Sequence, residues 1–132
     1  MSEKIEQLLQ KPYWIIDILP YQVPFEGAGQ YFTVDKYFLR DENMAAVKQK
    51  HINLILKLNC YYNIALDEEE PNPPVEHLVE VMKQRYVNIL IKDALIVSEA
   101  DDTHMTIFNP DEELLELVRQ LAWSEGLFVW RP

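Results

Sequence analysis

Apolar positions along this chain recur with two periods, and the places where one gives way to the other outline its elements. From Val75 the residues Val75, Leu78, Val79 and Met82 fall at i, i+3, i+4 and i+7, the stripe of an amphipathic helix, with Pro74 suited to its first turn. An earlier helix starts near Asn43: Met44, Val47, Leu54, Ile55 and Leu58 keep helical intervals, Lys48, Gln49, Lys50 and Lys57 take the other faces, and Asn59 can end it. The last helix carries the fullest signals. Asn109 reads as N-cap, Pro110 as first helical residue and Glu112 as the third past the cap, ahead of a stripe of Leu114, Leu115, Val118, Leu121 and Ala122. Gly126 is placed to stop that helix in a left-handed conformation. The charged opening to Gln10 reads as a short helix of its own.

Strands are signalled by β-branched and aromatic runs. Tyr13 to Leu19, ended by Pro20, is one such run, apolar enough for burial on both faces. Cys60 to Leu66 is a second, with Tyr62, Ile64 and Leu66 on one face, and Leu127 to Trp130 closes the chain as another. Leu95–Val97 and Met105–Phe108 flank Glu99, Ala100, Asp101 and Asp102, and aspartates favour turns, so these residues predict a β-hairpin. Tyr21 to Gly29 and the acidic, proline-rich Asp67 to Pro74 have no periodicity and read as loops. Two segments fit both periods: 30–40, and 86–92, where Val87, Ile89 and Ile91 alternate as in a strand while Tyr86, Ile89 and Leu90 extend the preceding helical stripe.

From residue 60 the order is therefore strand, helix, strand, strand, helix, strand, with a further strand and helix before it. This predicts one α+β domain over residues 1–132, a mostly antiparallel sheet with helices packed on one face. A ferredoxin-like (split βαβ) core with an extra strand-helix unit at an edge satisfies that order.

Composition narrows the function classes. Twelve Lys and Arg against 22 Asp and Glu give a formal charge of −10. That disfavours nucleic acid and anionic membrane surfaces, whose affinity comes from cationic side chains neutralising phosphates. Lys48, Lys50, His51 and Lys57 are the nearest approach to a basic patch, and they alternate with apolar positions as a helix's solvent side does. No signal peptide or membrane-spanning run is evident, and a single cysteine cannot form an internal disulfide, so a cytoplasmic setting is expected.

Candidate chemistry is sparse. No histidine or cysteine sits in a metal-ligand spacing, no phosphate-binding loop is present, and Ser2, Ser98 and Ser124 lack a nucleophile elbow. No catalytic residue, metal or cofactor is therefore assigned. Cys60 opens a strand of aromatics and is expected to be a buried structural thiol, and His51, close to its helix's apolar stripe, a core histidine. Asp17 breaks the apolar pattern of its strand, where an ionised carboxylate is costly unless partnered. His104 follows Asp101 and Asp102 just past the hairpin turn. With Tyr62 these four are the candidate binding residues: Asp17, Tyr62, Asp101, Asp102 and His104.

The expectation that follows is a non-enzymatic protein-binding or regulatory module, of the inhibitor or immunity type, steered by its charge towards a basic partner. Its many Tyr and Trp residues beside proline loops are also typical of recognition surfaces. Two alternatives accompany it: a small-molecule binder or enzyme with a pocket beside the sheet, and a homodimer of structural role paired through an edge strand.

Overall fold

A computed structural model describes residues 2–132, with the backbone alone described at residues 27 and 28. Its elements are α1 (Glu3–Leu8), β1 (Tyr13–Asp17), a 3-10 turn (Phe25–Gly27), α2 (Ala28–Phe38), α3 (Asp41–Asn59), β2 (Ile64–Leu66), β3 (Glu70–Pro71), α4 (Val75–Gln84), β4 (Val87–Ile91), β5 (Ala94–Ser98), β6 (Met105–Phe108), α5 (Glu112–Ser124) and β7 (Phe128–Trp130). The strands form one open sheet in the order β3-β2-β4-β5-β6-β1-β7, and every ladder is antiparallel. A ferredoxin-like core is not confirmed, because that arrangement sets the two strands joined by a helix parallel with another strand between them, whereas β2 and β4, joined through α4, are direct antiparallel neighbours. Nor does β1 lie at an edge: it sits between β6 and β7.

The period-2 alternation of the strands divides the apolar residues between two cores. Ile89, Ile91, Ile96, Ile107 and Ile16 join the larger core, shared with Ile52, Leu54, Ile55 and Leu58 of α3, Leu78 and Met82 of α4, and Leu114 and Val118 of α5. Leu90 and Leu95 alternate with them and meet Ile5 and Leu8 of α1 in a smaller cluster. Helices therefore cover both faces, and the expected one-sided packing holds for α3, α4 and α5 only. The opening hexamer forms because Ser2 caps it, its hydroxyl accepting from the Ile5 N–H at 3.2 Å, and because it has Leu90 and Leu95 to cover.

Segment 86–92 resolves as β4 after α4 stops at Gln84, since a strand there pairs on both sides, with β2 and β5. Pro74 precedes α4 as its cap residue, one position before the predicted first turn. Segment 30–40 is helical as far as Phe38, in α2, and the predicted loop at 21–29 ends in the 3-10 turn and the start of that helix. The second strand is shorter than expected: Cys60 to Asn63 close the end of α3, and Cys60 is exposed, not buried. β1 likewise stops at Asp17, with Tyr13 exposed and Trp14 and Ile15 half-buried.

Asn109 does not cap α5. It takes a left-handed φ of 61°, and Asp111 is the N-cap, its carboxylate accepting from the Leu114 N–H at 2.7 Å. The C-terminal stop is as predicted. Gly126 has φ +76°, its N–H bonds the Trp123 carbonyl at 3.0 Å, and the Leu127 N–H bonds Ala122 at 2.8 Å, a Schellman closure that turns the chain into β7.

Candidate functional site

One end of the sheet, where β1 finishes and the β5–β6 hairpin turns, collects most of the buried polar groups. In the β1–β6 ladder Trp14 pairs with Ile107 and Ile16 with Met105. One further step of that register brings Asp17 opposite His104. Asp17 is 8% exposed, its Oδ1 accepting from the Ile18 N–H at 2.7 Å. Burial raises its pKa, against the lowering effect of the Ile18 N–H and of His104. His104 Nδ1 in turn lies 3.0 Å from Asp102 Oδ1. That hydrogen bond holds the imidazole above its ordinary pKa despite burial. Burial alone would push the Asp102 carboxyl up, but His104 and the N–H groups of Thr103 and His104 hold it below the usual range.

A cavity of about 390 Å³ opens at Asp17, lined also by Gln22, Val23, Pro24, Phe25, Tyr31 and Trp130. β7 supplies Trp130, whose residue pairs with Ile15 and so shares Asp17's side of the sheet. The Trp130 indole N–H is buried and approaches the Asp17 carboxyl, whose pKa it helps to lower, without reaching full hydrogen-bond geometry. The loop and 3-10 turn supply Phe25, and α2 supplies Tyr31, whose phenol is raised by burial and then by Asp35, Asp17 and Asp102. Thr103 Oγ1 donates to Asp35 Oδ1 at 3.3 Å, tying α2 to the hairpin.

Behind the hairpin lies a second buried network that the sequence did not signal. Lys48, expected on the solvent side of α3, is 2% exposed. Its Nζ donates to Ser98 Oγ at 3.1 Å and the Glu99 carbonyl at 2.6 Å, and lies 3.1 Å from His51 Nδ1. Burial lowers the ammonium to about 8, with Asp102, Asp101 and Glu99 opposing. The core expectation for His51 agrees with its complete burial, and burial together with Lys48 lowers it to about 3. The ammonium has three acceptors within hydrogen-bonding distance and Ser98 is fully buried, so this Ser–Lys pair has the geometry of a structural brace.

The predicted site residues are thus divided. Asp17, Asp102 and His104 converge. Asp101 stays exposed beside Asp102 and lines a different cavity with Leu39, Met44 and Lys48. Tyr62 is elsewhere: its hydroxyl donates to Glu113 Oε1 at 3.0 Å and Lys92 stands over its ring at 5.0 Å. Lys92 belongs to the β4–β5 turn, at the opposite end of β5 from His104. No cluster of three or more metal-ligating side chains occurs among the described residues, and no helix among them is long and apolar enough to cross a membrane.

Around the cavity mouth and along α2 the surface is apolar. Tyr21, Phe25, Phe32, Val34, Tyr37 and Leu39 are all exposed, Phe25 at 92% and Tyr21 at 70%. Among its described residues α2 contributes no fully buried side chain to either core. Comparison with known proteins finds no family model, no curated protein and no solved structure that matches this chain.

Proposed function

We propose that this protein is an acidic recognition module that binds a basic protein partner through α2 and the 3-10 turn before it, in the manner of an inhibitor or immunity protein. The observation that carries the reading is the run of exposed Tyr21, Phe25, Phe32, Val34, Tyr37 and Leu39, six large apolar side chains within one segment of the chain. Isolated exposed apolar residues are ordinary, but a contiguous group rimmed by charge marks a contact surface. Aromatic side chains there bury much area at little entropic cost on binding. The charge of −10 selects the partner's sign and speeds the encounter.

The test compares wild type with a Phe32→Glu, Tyr37→Glu double variant, both immobilised and exposed to lysate of the source cells at low and high salt. A basic protein retained by the wild type, released by salt and absent from the variant supports the reading. Equal retention by both proteins, or a retained partner insensitive to salt, overturns it. Both side chains are exposed, so the variant's melting temperature should match wild type and a folding defect is excluded directly.

A further inference from the structure

We propose that the charged imidazole of His104 holds α2 in place, and that α2 comes away from the β5–β6 hairpin when His104 gives up its proton. That this hold regulates recognition rests on the α2 surface reading; the hold itself does not.

The inner face of α2 is poorly built for apolar docking. Among its described residues only Tyr31, Asp35 and Phe38 are half-buried, and they fall at i, i+4 and i+7 on one face. A carboxylate stands in the middle of that stripe, where a helix docked by its apolar face carries a residue such as leucine. The larger apolar side chains Phe32, Val34 and Tyr37 are exposed and add nothing to the docking. Asp35 instead meets the hairpin through Thr103, itself 3% exposed, whose hydroxyl donates to Oδ1 at 3.3 Å.

Three elements bring carboxylates to that point. Asp17 comes from β1, Asp102 from the hairpin and Asp35 from α2, and all three act on His104, Asp102 at 3.0 Å. α2 adds the Tyr31 phenol, near Asp35, Asp17 and Asp102. From α3 the neutral His51 faces His104, and Lys48, its ammonium engaged by Ser98 and the Glu99 carbonyl, faces Asp102. Protonated, His104 offsets the three carboxylates and draws Asp35 in; neutral, it leaves them facing one another, and like charges repel. Docked α2 places Asp35 beside His104 and so strengthens its hold on the proton. By linkage, docking must then weaken as pH rises through the folded His104 value, which lies above 6.5.

Hydrogen exchange on the whole protein reads this directly, with α5 and β4 as internal controls. In wild type, α2 amide protection, corrected for intrinsic rates, is compared one pH unit below and one above the His104 NMR midpoint. It should fall by about fivefold across that interval while α5 and β4 keep theirs, and high salt should shrink the change. His104→Gln, neutral at every pH, should show the weaker protection throughout. Asp35→Asn keeps an acceptor for Thr103 but drops the charge, so α2 should stop responding to pH and the His104 midpoint should fall. Melting temperatures identify a variant that fails to fold, and Asp35→Asn carries the test should His104→Gln be one. A wild-type α2 indifferent to pH, or protection lost equally in α5 and β4, overturns the proposal. So does a pH response that survives in His104→Gln, which assigns it to Lys48. No partner enters this experiment, so its failure leaves the recognition surface standing, and a failed capture from lysate leaves the hold on α2 standing.

Discussion

Lys48 Nζ and His51 Nδ1 lie 3.1 Å apart, one helical turn apart on α3 and both sealed from solvent. For the ammonium to donate, the imidazole must be neutral with its proton on Nε2, so the two side chains cannot both be charged without conflict. Their depressed values, about 8 for Lys48 and about 3 for His51, follow from burial and, for His51, from the cation beside it.

This arrangement predicts acid sensitivity well above the carboxylate range. A His51 value of about 3 when folded lies below the unfolded value near 6.5, so the unfolded chain takes up the proton first. His51 therefore contributes stability above pH 6.5 that is lost as pH falls towards 3, at up to about 1.4 kcal/mol per pH unit. Urea denaturation between pH 6.5 and 4.5 should show falling stability in wild type and a nearly flat profile in His51→Gln. A slope unchanged by the substitution would assign the sensitivity to carboxylates instead.

At the alkaline end the same logic applies to Lys48. Folded at about 8 against 10.5 unfolded, it binds fewer protons in the folded state between those values, so stability should rise with pH from 8 towards 10. Lys48→Met should remove that rise. It should also lower stability at pH 9 by about 1–3 kcal/mol, because Ser98, the Glu99 carbonyl and His51 lose their shared donor inside the protein. A variant that keeps the alkaline rise would show that another group titrates there.

The start of α5 separates two caps that look alike in sequence. Asp111 accepts from the Leu114 N–H, whereas Asn109 sits at φ 61° with its side chain donating to the Asp93 carbonyl. Asp111→Ala should cost about 1 kcal/mol, the usual loss for an N-cap. Asn109→Gly, which suits a left-handed backbone, should stay within about 0.5 kcal/mol of wild type. Thermal melts of the pair check this, and the reverse order of effects would return the cap to Asn109.

How far the sequence could be read depended on whether neighbouring residues alone decide a feature. α3, α4, α5, the β5–β6 hairpin and the Gly126 stop rest on periodicity and turn chemistry, which are local, and they were legible. β4 was ambiguous because Val87, Ile89 and Ile91 fit a strand while Tyr86, Ile89 and Leu90 extend the helical stripe, and only pairing on both sides by β2 and β5 selects the strand. Asn109 read as the cap because Pro110 follows it, and its left-handed turn moves the cap two residues on, to Asp111. Strand order escaped because no local pattern says that β1 inserts between β6 and β7. In the site, Asp17 was conspicuous as a charge in an apolar strand, but His104 becomes its neighbour only through the pairing of β1 with β6, which no local pattern gives. Trp130, Tyr31 and Phe25 were visible only as aromatics, since their meeting depends on β7 pairing with β1. Lys48 gave no signal, because lysines on helices usually face water.

Gathered at the cavity's edge, His104 faces Asp102, Asp17 and Asp35, with the neutral His51 behind it, and this surrounding sets the sign of a last effect. Its folded pKa is raised above 6.5, first by the Asp102 hydrogen bond, so its contribution to stability is complete below pH 6.5 and is lost as pH rises through the folded value. That window lies above pH 6.5 and so does not overlap the His51 window below it. Following the His104 imidazole by NMR should give a midpoint above 6.5 in wild type. Asp102→Asn should bring the midpoint down, since it removes the charged acceptor and leaves burial to oppose protonation. The two variants then combine: His51→Gln flattens the acid side of the stability profile, and Asp102→Asn flattens the neutral side. If Asp102→Asn leaves the midpoint in place, Asp17 across the ladder is the residue that holds the charge on His104, and Asp17→Asn should lower it instead.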